Sequence, residues 1–176
     1  MTPSGAVNPV NPVDAVITKA LAESGLSYEV PPNGGYFVTL PGTRKLQTNC
    51  WLLPTRHGLT VEAFVCRRPD DNHAEVYRFI LRRNAKLYGV HYTLDPAGDI
   101  YLIGRLAPEA VTPAELDRLL GQVLQAADGD FNTLLELGFA ESIRREYRWR
   151  ASRGESTANL RAFRHLTEDL DSDPAG

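Results

Sequence analysis

Residues 45–67 constrain the fold most, because they contain two runs of strand-forming side chains around a short turn. The runs are KLQTNCWLL and LTVEAFVCR, and the turn between them is PTRHG. Branched and aromatic residues favour β-strands, and a turn with proline and glycine joins such strands into an antiparallel hairpin. A slip of one residue would move every side chain to the other face of the sheet. The register that collects apolar side chains on one face pairs Cys50 with Ala63, Leu52 with Val61 and Thr48 with Val65.

Alternate residues of this hairpin are apolar on both faces of the sheet. The face opposite Cys50 and Leu52 carries Trp51, Leu53, Phe64 and Cys66, and a second predicted hairpin, GVHYTLDPAGDIYLIGRL, adds Tyr101 and Ile103. A sheet that is apolar on both faces needs cover on both, from its own helices, a second subunit or a partner's segment. The sequence leaves these alternatives open. In the second and third, the partner or dimer surface consists of Trp51, Leu53, Phe64, Tyr101 and Ile103.

Helical periodicity occupies the stretches before, between and after the predicted strands. The Asn11–Pro12 pair and the capping box TPAE are typical helix starts. Four helices are predicted, over residues 11–24, 72–87, 113–128 and 131–153, the last with Gly138 as a weak point inside it. The order is helix, three strands, helix, two strands, helix, helix. This order predicts the α+β class, with a five-stranded antiparallel sheet on which the helices pack.

A single domain is expected over residues 11–153, since a chain of 176 residues with 43% hydrophobic residues supports one core. Residues 1–10 are rich in proline, asparagine, serine and glycine, and we expect a flexible N-terminus. Residues 154–176 are polar and then acidic. We expect a partly disordered tail there, with at most one short helix around residues 160–166.

The charge balance and the hydropathy pattern limit the partners of the chain. The chain has 19 Lys and Arg against 22 Asp and Glu, so its net charge of −3 offers no overall field for a nucleic acid. The sequence has no apolar run of the roughly 18 residues that span a bilayer and no secretory signal pattern, so we expect a cytoplasmic protein without membrane contact. Its two cysteines, Cys50 and Cys66, are then expected to be structural thiols.

The stretch ESIRREYRWRASRGES concentrates arginine and large aromatic residues near the end of the last predicted helix. Helical spacing puts Arg144, Arg145 and Arg148 on the side away from Ile143, which favours an ordinary solvated helix face. Trp149 falls outside the apolar stripe, so a docking site for an anion or a partner protein at Arg144, Arg145, Arg148 and Trp149 is the second interpretation. Nucleic-acid binding is the third and weakest, because no nucleic-acid motif accompanies the arginines.

No motif for catalysis, metal binding or phosphate binding occurs in the chain. The four histidines are scattered singly, and the nucleophile and phosphate-loop patterns are absent. We therefore expect no catalytic residue, no metal and no cofactor. One enzymatic alternative stays open, a pocket assembled from dispersed residues such as His91, Asp95 and Glu136.

Residues 74–154 carry a family resemblance. The runs AEVYRFILRRNAKLYGVHYTLDPAGDIYLIGRL and LDRLLGQVLQAADGDFNTLLELGFAESIRREYRWRASRGE closely resemble the actinobacterial branch of the YbjN-domain family. The resemblance implies a fold like that of type III secretion chaperones. It also implies a non-enzymatic protein that binds polypeptides or acts in sensory regulation. A homodimer is one form of this expectation. The family supplies no catalytic set, so no site residue is inherited. The acidic residues after Gly154 and the helix from Phe131 lie outside the minimal chaperone-like unit.

Overall fold

The computed structural model describes residues 12–171, so the predicted cap at Asn11, the predicted flexible residues 1–10 and the last tail residues 172–176 lie outside it. Within these residues the strands are β1 (Ser27–Glu29), β2 (Tyr36–Pro41), β3 (Gln47–Thr55), β4 (Gly58–Cys66), β5 (Val90–Leu94) and β6 (Ile100–Leu106). The helices are α1 (Pro12–Ser24), α2 (His73–Asn84), α3 (Pro113–Gly129), α4 (Phe131–Gly138), α5 (Ala140–Ser152) and α6 (Glu168–Asp171). Two 3-10 segments cover Pro108–Ala110 and Ala158–Leu166.

The six described strands form an antiparallel sheet in the order β1-β2-β3-β4-β6-β5. The predicted α+β class with an antiparallel sheet is confirmed. The predicted number of five strands was one too low, because β1 was missed. Three residues are too few to show a period of two, and the PPNGG segment that follows gives only a turn signal.

The predicted register of the β3–β4 hairpin is confirmed where the two strands pair. Cys50 lies opposite Ala63 and Leu52 opposite Val61. The ladder between β3 and β4 extends from Cys50 to Thr55, so the expected Thr48–Val65 pair lies beyond its end. The polar turn residues sit at the tip, and every second side chain is directed to the same face as far as Phe64. A β-bulge between Phe64 and Cys66 then places Cys66 opposite Ile100 on the buried face, so the expectation that Cys66 shares the face of Phe64 is wrong.

One face of the sheet, which we call the inner face, is completely buried. Helix α3 contacts β2, β3, β5 and β6, and α1 packs against α3. The strand residues buried there include Val38, Cys50, Leu52, Val61, Ala63 and Leu102, all with 0% exposure. Burial of an aliphatic side chain of this size stabilises a fold by about 1.5–3 kcal/mol, so the inner face supplies most of the core energy.

A buried polar cluster joins the helices to the edge of the sheet. The Tyr92 hydroxyl donates to the Asp130 carboxylate at 2.9 Å and lies 3.0 Å from the Ala126 carbonyl oxygen. The Arg83 guanidinium donates to the same carboxylate at 2.7 Å. Burial raises the pKa of Tyr92 above its ordinary value, so the hydroxyl keeps the proton that it donates. The cluster therefore fixes α2 and β5 against the α3–α4 junction.

The predicted long helix over residues 131–153 is wrong, because the chain breaks it at Phe139. Phe139 has φ −140° and ψ 20°, and α4 and α5 lie on either side of it. The backbone N–H of Asp70 donates to the Gly138 carbonyl oxygen at 2.9 Å, and the Asn72 side chain donates to the Leu137 carbonyl oxygen at 3.1 Å. These carbonyl groups thus bond to the loop after β4 at the point where the helix is interrupted.

The described part of the C-terminal tail has more local structure than predicted. A 3-10 segment over Ala158–Leu166 is followed by the short helix α6, where at most one short helix was expected. Phe163 is buried with 5% exposure, and the Arg144 guanidinium donates to the Leu166 carbonyl oxygen at 3.0 Å. The buried Phe163 ring and the Arg144 hydrogen bond therefore help to hold this segment beside α5.

Strand β5 forms one edge of the sheet, and Asn84 blocks that edge. The side chain of Asn84 accepts a hydrogen bond from the Tyr92 backbone N–H at 2.7 Å and donates to the Tyr92 carbonyl oxygen at 3.2 Å. It thereby occupies the two backbone groups that a further strand would use. Open edges invite pairing with other chains, and a side chain placed in this way prevents it.

We expect Asn84→Ala to destabilise the protein by about 1–3 kcal/mol, because it leaves two backbone groups of Tyr92 without their partner. Arg82→Ala, an exposed position of the same helix, is the control and should be close to neutral. Denaturant unfolding of the two variants measures the difference. Equal midpoints for both variants would contradict the assigned role of Asn84.

Candidate partner-binding surfaces

The second face of the sheet, which we call the outer face, carries the predicted partner residues. Trp51, Leu53, Tyr101 and Ile103 are half-buried there, and Phe64 is 38% exposed. The structure therefore brings all five residues to one face, as the hairpin register requires. Their inner-face neighbours are completely buried, so the two faces of the sheet differ sharply in their cover.

The aromatic rings of the outer face form two edge-to-face pairs. Phe37 and Trp51 meet edge to face with ring centroids 4.9 Å apart, and Phe64 and Tyr101 do so at 5.4 Å. Edge-to-face contacts hold rings in fixed orientations. Glu62 lies in the register row between Trp51 and Ile103. The outer face is thus two rigid aromatic patches around one carboxylate. Sequence reasoning missed Phe37, although its alternation with Val38 in YFVTL was the available signal.

A groove of about 870 Å³ opens where the end of β4 meets α4 and α5. We call it the α5 groove. Its surface is mostly apolar and aromatic, and its rim carries basic side chains. The apolar lining includes Phe64, Cys66, Phe131, Leu135, Ile143 and Trp149. Phe64 of the predicted partner surface and Trp149 of the predicted docking site therefore line one common groove.

The loop between β2 and β3 forms one end of this groove, and Asp128 holds it in place. The Asp128 carboxylate accepts hydrogen bonds from the backbone N–H groups of Thr43, Arg44 and Lys45, at 2.7–2.9 Å. Burial alone would raise the pKa of Asp128, but the N–H donors of Lys45 and Arg44 outweigh it and leave that pKa below its ordinary value. A Cβ on Gly42 would lie 2.5 Å from the Asp128 oxygen, so only glycine fits.

The docked loop carries Lys45 into the groove. Its Nζ donates to the Phe64 carbonyl oxygen at 2.6 Å and lies 5.3 Å from the Phe64 ring centroid and 5.8 Å from that of Phe131. Burial lowers the pKa of Lys45. An ammonium group over aromatic faces is attracted by their negative potential, and it places a positive charge directly above the apolar surface.

A cluster around Asp70 forms the wall between β4 and α5. The Arg67 guanidinium binds the Asp70 carboxylate with two hydrogen bonds, at 2.5 and 2.9 Å, and the Ser142 hydroxyl donates to it at 2.5 Å. These hydrogen bonds, with Arg67 as the main cause, lower the pKa of Asp70 to about 2. The guanidinium also stacks 4.6 Å from the centroid of Phe139. The cluster thus ties the start of α5 to the sheet.

The structure divides the predicted docking residues of α5 between two sides of the helix. Arg145 lines the groove beside Trp149, which is 44% exposed, and donates to the Ser142 hydroxyl at 2.8 Å. Arg144 points to the other side and bonds to Glu141 and Leu166. Arg148 is exposed and does not line the groove. The arginines therefore do not form one continuous basic patch.

The residues of the enzymatic alternative lie in three different surroundings. His91 is exposed on the edge strand β5, and the Asp95 carboxylate accepts from the backbone N–H of Asp99 at 2.8 Å inside its own turn. Glu136 lies on α4, 3.6 Å from His165. The structure does not bring the three together.

The described residues offer no grouping for a metal ion and no membrane span. No three or more His, Cys, Asp or Glu side chains between residues 12 and 171 are placed to hold a metal. No helix in that part of the chain is long and apolar enough to cross a membrane. Cys50 and Cys66 are free and buried, and burial raises the pKa of their thiols to about 12 and about 11.

A family model and several curated proteins match the chain. The model is YbjN, described as "Putative bacterial sensory transduction regulator", and it matches residues 14–136. "Uncharacterized protein Rv0487" of Mycobacterium tuberculosis is 57% identical over 159 residues, covering 88% of this chain and 87% of that protein. "Uncharacterized protein ML2442" of Mycobacterium leprae is 54% identical over 160 residues, with the same shares.

Solved structures with a similar fold include a type III secretion chaperone. A chain of the ExsC–ExsE complex matches with a TM-score of 0.51 and 19% identity, covering 69% of this chain and 92% of that one. The type III secretion chaperone SycH of Yersinia pestis, solved with a stable fragment of YscM2, matches at 0.50 with 20% identity, covering 65% of this chain and 96% of that one. The predicted similarity to the chaperone fold is therefore confirmed.

Gly138→Ala should destabilise the protein by about 1–3 kcal/mol, because the added Cβ has no room at the helix break. It would lie 2.8 Å from Pro69 Cβ and 3.1 Å from Val76 Cγ2. Gly121→Ala is the matched control, since nothing lies within 4 Å of its Cβ position in α3. Alanine there should stabilise the helix by about 0.5–1 kcal/mol. The midpoint temperatures of thermal unfolding measure both effects. Midpoints that shift in the same direction for both variants would refute this account of the break.

We expect the Asp70 cluster to contribute stability that depends on pH. A carboxyl group with a lowered folded-state pKa stabilises the fold above its unfolded pKa, and the contribution disappears as the pH falls through the folded value. For Asp70 this window lies between an ordinary value of 3.8 and about 2. Asp70→Asn should therefore lose less stability than the wild type between pH 4 and pH 2. Asp71→Asn, outside the cluster, should behave as the wild type, as followed by denaturant unfolding at each pH.

Proposed function

The chain belongs to the YbjN family, and from this premise we propose that it is a non-enzymatic protein-interaction module. It binds a polypeptide partner through the outer face of its sheet. The contact residues are those predicted from the hairpin register, namely Trp51, Leu53, Phe64, Tyr101 and Ile103. We place this activity in the cytoplasm, where the two free buried thiols stay reduced.

The observation that carries the proposal is the unequal cover of the two sheet faces. The inner face is sealed by the protein's own helices, whereas aromatic rings remain partly accessible on the outer face. Exposed clusters of large apolar groups mark interaction sites, and aromatic residues supply much of the binding energy at such sites. The paired rings of the outer face are already held in position, so binding costs little side-chain entropy.

Side-chain docking on this face fits the structure better than addition of a strand at the β5 edge. Asn84 already occupies the backbone groups of Tyr92 at that edge. We therefore expect the partner to contact side chains of the outer face and not the backbone of β5. One of the structurally similar proteins is a chaperone solved with a fragment of another protein, and another was solved in the ExsC–ExsE complex. These complexes support a polypeptide as the partner.

Self-association is the second form of the proposal. A second copy would bring the same aromatic patches to the interface, as a two-fold symmetric dimer requires. The Glu62 carboxylates would then approach one another, unless the copies are offset along the sheet. Arg105 lies on the same face, opposite Thr60, so a second copy also carries a basic group for Glu62. We favour a different polypeptide over a second copy, because the structurally similar chains were solved in complex with another protein.

We expect Trp51→Ala and Phe64→Ala each to weaken partner binding about ten-fold or more, because each removes a ring from the contact surface. Leu81→Ala is the matched control, since Leu81 is 67% exposed on α2, away from the sheet face. Proteins captured from the native cytoplasm by the wild type and the three variants are compared by quantitative mass spectrometry. Light scattering of the same samples measures self-association.

Three outcomes are informative. Partners lost with Trp51→Ala and retained with Leu81→Ala support the outer face as the binding surface. A dimer that dissociates only in the two aromatic variants supports self-association. The proposal would be contradicted if the wild type and all variants capture the same proteins and have the same molecular mass. Circular dichroism must show that each variant is folded.

A further inference from the structure

The α5 groove contains two positive charges that form no direct ion pair within the described residues. Lys45 bonds to a carbonyl oxygen and Arg145 to the hydroxyl of Ser142. Within residues 12–171 neither has a carboxylate within ion-pair distance, whereas the neighbouring Arg67 has one and Arg150 has two. Ser142 links Arg145 to the Asp70 carboxylate, which Arg67 already pairs, and Glu146 in the groove lining is paired with Arg150. Lys45 and Arg145 thus stand at the apolar surface without a direct carboxylate partner from the described part of the chain.

The two cations lie at different positions along the wall that α4 and α5 form. Lys45 sits above Phe131 at the start of α4, and Arg145 lies in the middle of α5. Between and beyond them the groove offers aromatic and aliphatic surface with a volume of about 870 Å³. The groove thus combines an apolar floor with two separated anion contacts.

We propose that the α5 groove binds an acidic, amphipathic peptide segment of a partner protein. Carboxylates of that segment pair with Lys45 and Arg145, and its apolar side chains pack on Phe64, Phe131 and Trp149. This is a second binding site beyond the outer-face contact. It stands on its own observations, although the shared Phe64 ring makes the two surfaces adjacent.

Charge and shape favour a peptide over the other occupants. A fatty acid or other single-headed amphiphile has one anionic group and would leave either Lys45 or Arg145 unpaired. A nucleic acid would find an apolar floor and only a few cations, where affinity normally comes from many phosphate contacts. A helix or extended segment with alternating apolar and acidic residues satisfies both features at once, in the helix-in-groove manner.

A random peptide library displayed on phage tests the proposal. Peptides are selected on the wild-type chain and sequenced. We expect them to combine Asp and Glu with Leu, Ile, Phe or Trp. The best peptide is then synthesised together with a counterpart in which Lys replaces every acidic residue. Affinity is measured by titration of Trp149 fluorescence in the Trp51→Phe variant, because the chain contains two tryptophans. The lysine counterpart should not bind.

Matched charge reversals on α5 locate the site. Arg145→Glu should weaken binding of the selected peptide about ten-fold or more, since an attraction at the rim of the groove becomes a repulsion. Arg148→Glu changes the net charge equally but lies outside the groove, and it should alter affinity less than about two-fold. Trp149→Ala, read by fluorescence anisotropy of a labelled peptide, should also weaken binding about ten-fold.

The remaining outcomes separate this inference from the proposed function. Peptide binding that persists in Trp51→Ala belongs to the groove even if the outer face binds nothing. Three results would each overturn the inference. The selected peptides are basic or uncharged; Arg145→Glu and Arg148→Glu weaken binding equally; or no peptide is selected and the protein binds dodecanoate. A peptide that binds only as the protein self-associates would assign the groove to a second copy and overturn it as well.

Discussion

The alternation of side chains along β3 and β4 is the constraint on which the rest of the structure depends. Both faces of these strands are apolar, but the helices that cross the sheet cover only the inner one. Burial of the inner face fixes the register, because a one-residue slip would exchange the two faces. The register also determines which side chains lie on the outer face. Its partly exposed rings are the geometric consequence of the same pattern that builds the core.

Aspartates at three junctions fix the parts of the molecule that apolar packing leaves undetermined. Asp128 holds the β2–β3 loop, Asp130 joins Tyr92 to Arg83, and Asp70 joins Arg67 to α5. Each carboxylate accepts hydrogen bonds from groups distant in sequence. Such bonds are directional, so they set positions that hydrophobic burial, which has no direction, does not specify. The α5 groove depends on two of these junctions, since Asp128 holds the loop at one end of it and the Asp70 cluster forms the wall between β4 and α5.

The sequence was sufficient for features that depend on local periodicity and insufficient for those that depend on distant contacts. The β3–β4 register and the outer-face residues could be predicted, because a period of two determines both. Strand β1 was too short to show a period. The break at Phe139 was missed because backbone groups near Asp70 cause it, and helix propensity contains no information about them. Gly138 was the one local signal, and the close approach of Pro69 and Val76 explains why glycine is needed there.

The two proposed binding surfaces have different relations to the family. The family model ends at residue 136, so it includes the whole sheet and the outer face but not α5. The groove is therefore built half from residues within that match and half from a helix beyond it. Substitutions on the exposed side of α5 alter the rim charges without disturbing the inner face. Partner selection can thus change at the groove while the sheet, and the aromatic patches fixed by its register, stay constant. Phe64 belongs to both surfaces, so a ligand in the groove lies against the aromatic pair that Phe64 forms with Tyr101.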